Sequence, residues 1–295
     1  MSEYTPPASC SVIIPARERP VLLERAIQSI LDSAGSDRTE IIVIDDGSVP
    51  RLSPGNLRPQ DRVIRHERSQ GVSNARNAGI DAAQGELIYF LDSDDYFVKR
   101  DFTEDLAYIQ GKSGIWFCDI ESNGYTSDFP DVIKTSSFFE DIIHRYPFIC
   151  QTSSLCFTAS LGLRFDPQLN HHEDWDFLYR ALTDEIPLSH IPGVVFFDRS
   201  DKSSLSRSYN PTSSLPWIAR LEKDPTVSGH DFDVIKYRLL GKYNEYYTCR
   251  ECLREGLRFW LDHRLSASIV LKTLAHRGLR RFYQFQKQVT SANGK

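Results

Sequence analysis

The runs SVII at 11–14, EIIVID at 40–45 and LIYFL at 87–91 are apolar at nearly every position. A strand with one face in water alternates apolar and polar side chains, so these strands need cover on both faces. Between them lie stretches with helical spacing. Pro20–Leu31 puts Leu23, Ala26, Ile27 and Ile30 on one face, and a second helix is expected over residues 73–83 with Ser73 as its N-cap. A short strand is expected at 62–65 and a fifth at 115–118. The β-α-β-β-α-β order predicts an α/β fold, a mainly parallel, Rossmann-like sheet flanked by helices.

The 295 residues suit one large domain, or one domain with an appendage. Hydrophobic content of 40% and charged content of 25% are ordinary for a soluble globular chain. No apolar run approaches the roughly 18 residues that span a bilayer. The opening MSEYTPPAS has neither a basic nor an apolar signal region. Scattered cysteines at 10, 118, 150, 156, 249 and 252 point to a reduced, cytoplasmic setting. Cys249 and Cys252 form a CxxC with no second pair and no ligand-type His nearby, which argues against a metal or redox site. Residues 263–295 hold seven Lys or Arg and no acid, leaving 28 basic against 40 acidic residues in the rest. A body that acidic excludes general nucleic-acid binding.

In parallel sheets, ligands bind beyond the carboxyl ends of the strands, and the polar motifs fall there. The first strand runs into Pro15-Ala16-Arg17-Glu18, the second into Asp45-Asp46-Gly47-Ser48, and the fourth into Asp92-Ser93-Asp94-Asp95. An acidic run such as DSDD can be a plain turn or helix cap. With a second acidic turn on a sister strand, the better reading is a hard divalent cation, held by one or two carboxylates and a substrate diphosphate. A carboxylate at the end of IVIDDGS can accept from a base imide or a ribose hydroxyl, or simply close a β-turn. In GVSNARNAGI, Arg76 and the helix start can meet phosphate, or Arg76 can form a salt bridge. HHEDWDFLYRAL puts Asp174 in the first turn of a helix with Phe177, Leu178 and Ala181 behind it. Acids there also suit the helix dipole, and HHED lacks the i, i+4 pairing of a helical zinc site.

The ordered set SVIIP, VIDDGS, GVSNARNAGI, GELIYFLDSDD and HEDWDF resembles the family-2 glycosyltransferases of GT-A fold, over residues 9 to 200. The resemblance implies inverting transfer from a nucleoside diphosphate sugar, usually a UDP-sugar, with Mn²⁺ or Mg²⁺. It implies a carbohydrate or glycolipid acceptor and a role in cell-surface polysaccharide or glycoconjugate synthesis. By position, Pro15 and its neighbours Arg17 and Glu18 line the base pocket and Asp46 holds the uracil. Asp92 and Asp94 are the DxD pair, with Asp94 on the metal. The same resemblance places Arg76 and Glu173 with the nucleotide-sugar-binding residues and implies that Asp174 is the general base. The family's aromatic and Asn after the strand-one Pro are replaced here by Arg17 and Glu18.

DKSSLSRS, from 201, resembles a Ser-rich loop that folds over the donor in such enzymes. A catalytic domain over 1–205 and a helical region over 206–295 are expected. In the last helix Leu271, Leu274, Ala275, Phe282, Phe285 and Val289 form one stripe, with Lys272, Arg277, Arg280 and Lys287 pointing away. Such a helix packs on the body or lies on the anionic inner face of a membrane as a peripheral contact. The alternatives are an inactive nucleotide-sugar-binding module and a sugar nucleotidyltransferase. The latter wants a Gly-rich, Lys-bearing loop after the first strand, and PARERPVLLE is not one.

Overall fold

The computed structural model describes residues 10–122, 151–169, 171–198 and 211–229, with scattered positions at 124–142, 231 and 235. The strands are β1 (Cys10–Ala16), β2 (Thr39–Asp46), β3 (Arg62–His66), β4 (Leu87–Phe90), β5 (Tyr96–Lys99), β6 (Ile115–Ser122), β7 (Tyr125–Thr126), β8 (Val132–Ile133), β9 (Leu155–Thr158) and β10 (Leu188–Phe196). The helices are α1 (Pro20–Leu31), α2 (Val72–Ala82), α3 (Phe102–Ile109), α4 (Glu173–Thr183) and α5 (Leu215–Leu221).

Among the described residues the strands form one sheet, ordered β3-β2-β1-β4-β9-β6-β10-β5, with β7 on β6 and β8 on β10. The β3-β2-β1-β4 half is parallel, as the doubly apolar strands require. Beyond it the sheet is mixed, because β9 runs antiparallel to both β4 and β6. The expected fifth strand is β6, and it runs on to Ser122. Ahead of it lie β5 and α3, which the sequence reading passed over.

β1, β2 and β4 are buried at every position, so helices cover both faces. Leu23, Ala26, Ile27 and Ile30 of α1 are fully buried against one face, and Pro20 starts that helix where a missing N–H does no harm. α2 lies so close to β1 that a Cβ on Gly79 would come within 2.3 Å of Ile13 Cγ2. Ser73 is not the cap of α2. Gly71 precedes the helix at φ 92°, a left-handed value that a Cβ would strain, while Ser73 Oγ donates to the Leu169 carbonyl at 3.2 Å. Tertiary burial, not local capping, claims that hydroxyl. Burial pushes the thiols of Cys10, Cys118 and Cys156 up, Cys10 to about 12, so they act as small apolar core groups.

The chain divides into two compact units, Met1–Ala219 and Arg220–Lys295. In the second, Asp231 accepts from the Ser228 N–H at 2.8 Å and hydroxyl at 2.6 Å. The Ser-rich run at 201–208, the CxxC and the basic stripe at 271–289 lie outside the described residues. No described helix is long and apolar enough to cross a membrane.

Candidate active site

Parallel pairing sends β1, β2 and β4 to one edge, where Ala16 lies beside Asp45 and Leu91 N–H donates to the Ile13 carbonyl at 3.0 Å. Pro15 is buried inside β1, whereas Arg17 and Glu18 emerge into solvent. Glu18 takes φ 55°, and its N–H donates to Ser48 Oγ at 2.9 Å, which ties the end of β1 to the turn after β2.

Both acids of that turn are committed to shaping it. Asp45 accepts from the Ser48 N–H at 2.9 Å, the Leu52 N–H at 3.2 Å and Arg65 Nη1 at 2.5 Å. Asp46 meets His66 Nδ1 at 2.8 Å and accepts from Ser69 Oγ at 2.7 Å, Gln70 N–H at 2.8 Å and Gly71 N–H at 3.1 Å. Burial works to raise both carboxyls, but these donors outweigh it and hold both below the usual range. Asp46, expected at the uracil, therefore also organises the 69–71 segment that leads into α2. Gly47 allows the close approach: at φ 77°, a Cβ there would stand 2.5 Å from the Ser69 nitrogen.

After β4 the chain turns through Asp92-Ser93-Asp94-Asp95, closed by the Asp95 N–H on the Asp92 carbonyl at 2.9 Å. The three carboxyls take different surroundings. Asp95 is wholly buried and accepts from Ser153 Oγ at 2.5 Å and the Asp198 N–H at 3.0 Å. Its burial, then the charges of Asp92 and Asp94, push its carboxyl well above the ordinary value. Asp94 meets Arg19 Nη1 at 2.8 Å, and its carbonyl accepts from the Arg25 guanidinium. Asp92 remains a quarter exposed and meets Arg76.

Arg76 is the residue that joins the site. Its side chain is 3% exposed; Nη2 donates to Asp92 Oδ1 and Thr152 Oγ1, both at 2.8 Å, and Nη1 donates to Glu173 Oε1 at 3.1 Å. Burial opposes its charge, but Asp92 and Glu173 outweigh burial and keep it protonated. The sequence expectation of a surface salt bridge is corrected in one respect: the bridge forms, but its guanidinium is buried, and it links two motifs.

α4 begins at Glu173, after His172 in the left-handed region at φ 63°. His172 Nε2 lies 2.7 Å from Ser214 Oγ, and its ring sits 4.5 Å from Trp175 and 5.5 Å from Trp217. Asp174 is half-buried, and its Oδ1 accepts from the Trp175 N–H at 2.9 Å. Phe177 and Leu178 are buried as the periodicity predicts. Phe177 packs with Phe90, Phe157 and Phe165, one aromatic cluster beneath both the acidic turn and α4. Nothing local in the sequence marks Asp94 as the partner of Arg19, 75 residues away.

Arg19 meets Asp94, and Arg76 is shared between Asp92 and Glu173, so Asp92 and Asp94 bring carboxylates to one turn. That donor set fits a hard divalent ion held through one or two carboxylates. Among the described residues no three His, Cys, Asp or Glu side chains form a ready cage.

A half-parallel α/β sheet with an acidic turn at the end of β4 is the GT-A arrangement. The solved structure of S. aureus TarS residues 1–349 in complex with UDP-GlcNAc shares the fold, with TM-score 0.59, 16% identity, and 81% of this chain and 73% of that one covered. Residues 11–158 match the family model for glycosyl transferase family 2, and the chain belongs to that family. It is 27% identical over 238 residues to the putative glycosyltransferase EpsH of Bacillus subtilis, covering 73% of this chain and 69% of that protein. It is 42% identical over 91 residues to the Campylobacter jejuni GalNAc(5)-diNAcBac-PP-undecaprenol beta-1,3-glucosyltransferase, 29% of each chain. Two rickettsial glycosyltransferases are matched over only 22% and 25% of their own length.

Proposed function

We propose that this glycosyltransferase is inverting, and that it moves a sugar from a nucleoside diphosphate sugar, UDP-sugars first, to a hydroxyl of a carbohydrate or glycolipid acceptor. The observation that carries this reading is the Arg76 bridge. One buried guanidinium reaches Asp92 at 2.8 Å and Glu173 at 3.1 Å, so the acidic turn and the start of α4 belong to one site.

Asp174, beside Glu173, is the base in this reading. An acceptor hydroxyl is a poor nucleophile near neutral pH, and a carboxylate within reach takes its proton as the bond to the anomeric carbon forms. One in-line displacement inverts the configuration, whereas a double displacement needs a nucleophile on the opposite face. Asp94, with Asp92, would hold Mn²⁺ or Mg²⁺, which when bound supplies charge stabilisation for the departing diphosphate. Asp46 defines the base pocket with Pro15, Arg17 and Glu18, partly through the 69–71 segment it holds. Arg76 and Glu173 position the two acidic motifs. The TarS complex with UDP-GlcNAc supports a UDP-sugar, and the lipid-linked chemistry named in the Campylobacter relative supports a glycolipid or glycan acceptor in cell-surface synthesis. The catalytic part is assigned to residues 1–205, with 206–295 as a helical region. The stripe of basic residues at 272–287 supports peripheral contact with an anionic membrane.

The test is calorimetric titration with UDP with and without Mn²⁺, followed by hydrolysis across a panel of UDP-sugars. Metal-enhanced UDP binding and hydrolysis of one donor are expected, and with a hydroxyl acceptor added an α-configured donor should give a β-linked product. Preference for GDP or dTDP overturns the uridine assignment. UDP binding without hydrolysis of any donor or transfer would make the chain a binding module.

A further inference from the structure

Arg19 stands between the first strand and α1, directly after Arg17 and Glu18, the two positions at which the sequence departs from the family pattern. It occupies the N-cap position of α1 without capping it, φ −134° and ψ 58°. Its guanidinium instead crosses to the acidic turn, and Nη1 meets Asp94 Oδ2 at 2.8 Å with both side chains mostly buried, 19% and 12% exposed. The second arginine on this turn is held differently. Arg25 pairs with Asp198 at 2.9 Å, lies 4.7 Å over the Tyr96 ring, and donates to the Asp94 backbone carbonyl, not to its carboxylate. Arg25 braces the turn; Arg19 competes for the functional oxygen.

From this geometry we propose that Arg19 couples divalent-metal binding to nucleotide binding by competing with the metal for Asp94. This rests on the assignment of Asp94 as a metal-holding residue. A divalent ion at Asp94 meets a like charge already within hydrogen-bond distance of the same carboxylate, and in a mostly buried setting that repulsion is poorly screened. The ion alone therefore binds weakly. A nucleoside diphosphate presents several oxygens that suit a guanidinium fork. Once Arg19 turns to the diphosphate, its charge no longer opposes a metal at Asp94 Oδ2. Each ligand then raises the affinity of the other by the same factor, as linkage requires.

The experiment is Mn²⁺ titration of the full chain, read by the electron paramagnetic resonance signal of free Mn²⁺, with and without UDP. Wild type, Arg19→Gln, Arg19→Lys and Asp94→Asn are compared, each checked by thermal melting. Arg19→Gln should bind Mn²⁺ alone about fivefold or more tightly than wild type, with a smaller gain on adding UDP. Arg19→Lys keeps the charge and should stay near wild type. Equal or weaker Mn²⁺ affinity in Arg19→Gln, with an undiminished UDP gain, overturns the inference while leaving the metal assignment standing. Mn²⁺ binding that survives unchanged in Asp94→Asn, or that is absent from wild type with UDP present, removes the metal assignment and the inference with it.

Discussion

Replacing Arg76 with Met keeps most of the side chain's length and removes the guanidinium on which two motifs converge. The magnitude follows from the partners. Arg76 is 3% exposed, Asp92 25% and Glu173 14%, so the charges left behind are partly hydrated. Breaking a fully buried pair costs about 3–5 kcal/mol, and partial hydration of both carboxylates brings the expected loss to about 2–4 kcal/mol. The Thr152 hydroxyl also loses its 2.8 Å partner. At roughly 2–4 °C per kcal/mol for a unit of this size, the melting temperature should fall by about 4–16 °C. Arg76→Lys should recover less than half, because an ammonium is a point charge and cannot fork between two carboxylates. Circular dichroism at a helical wavelength follows the melt. An Arg76→Met protein that melts within about 2 °C of wild type would refute the reasoning, since a bridge of this burial cannot be silent.

Four further outcomes follow from the structure. Asp46→Ala should lower UDP affinity with or without metal, because it releases the 69–71 segment; an effect confined to metal-dependent binding would place Asp46 elsewhere. Its carboxyl is held below its ordinary value of 3.8, so its stabilisation is complete above that pH and is lost as pH falls through the folded value. The gap in melting temperature between wild type and Asp46→Ala should thus be level from neutral pH down to about pH 5 and narrow below about pH 4; a widening gap contradicts the assignment. Gly79→Ala sets a methyl 2.3 Å from Ile13 Cγ2 and should destabilise by about 1–3 kcal/mol, with partial recovery in the Gly79→Ala, Ile13→Ala double variant. Asp94→Ala should abolish turnover and remove any gain in UDP affinity from Mn²⁺, as measured by calorimetry.

α1 was legible to the residue, because Pro20 marks its start and four apolar side chains repeat at helical spacing. β1, β2 and β4 were legible because full burial on both faces writes itself as unbroken apolar runs. β5 escaped, since YFVK is half exposed, with Val98 and Lys99 in water, and reads as neither alternation nor a buried run. The antiparallel direction of β9 is set by its neighbours β4 and β6, and no local pattern encodes it. At the site, residue types were readable and partnerships were not. Arg76 lies 16 residues from Asp92 and 97 from Glu173, and Arg19 lies 75 from Asp94, so only the closed fold shows which carboxylate each arginine serves. Asp46 looked like a free ligand group because its four donors come from 66–71, a segment whose path the sequence does not disclose.

The account turns on Asp174 as the base that deprotonates the acceptor. The direct measurement is kcat of Asp174→Asn at saturating donor and acceptor, alongside its donor affinity. Asn keeps the size of Asp and its capacity to accept from the Trp175 N–H at 2.9 Å, so the start of α4 should stay in place. The prediction is a fall in kcat of roughly 10²–10⁴, the usual worth of general-base catalysis, with donor affinity barely changed. Near-normal turnover in that variant would contradict the account.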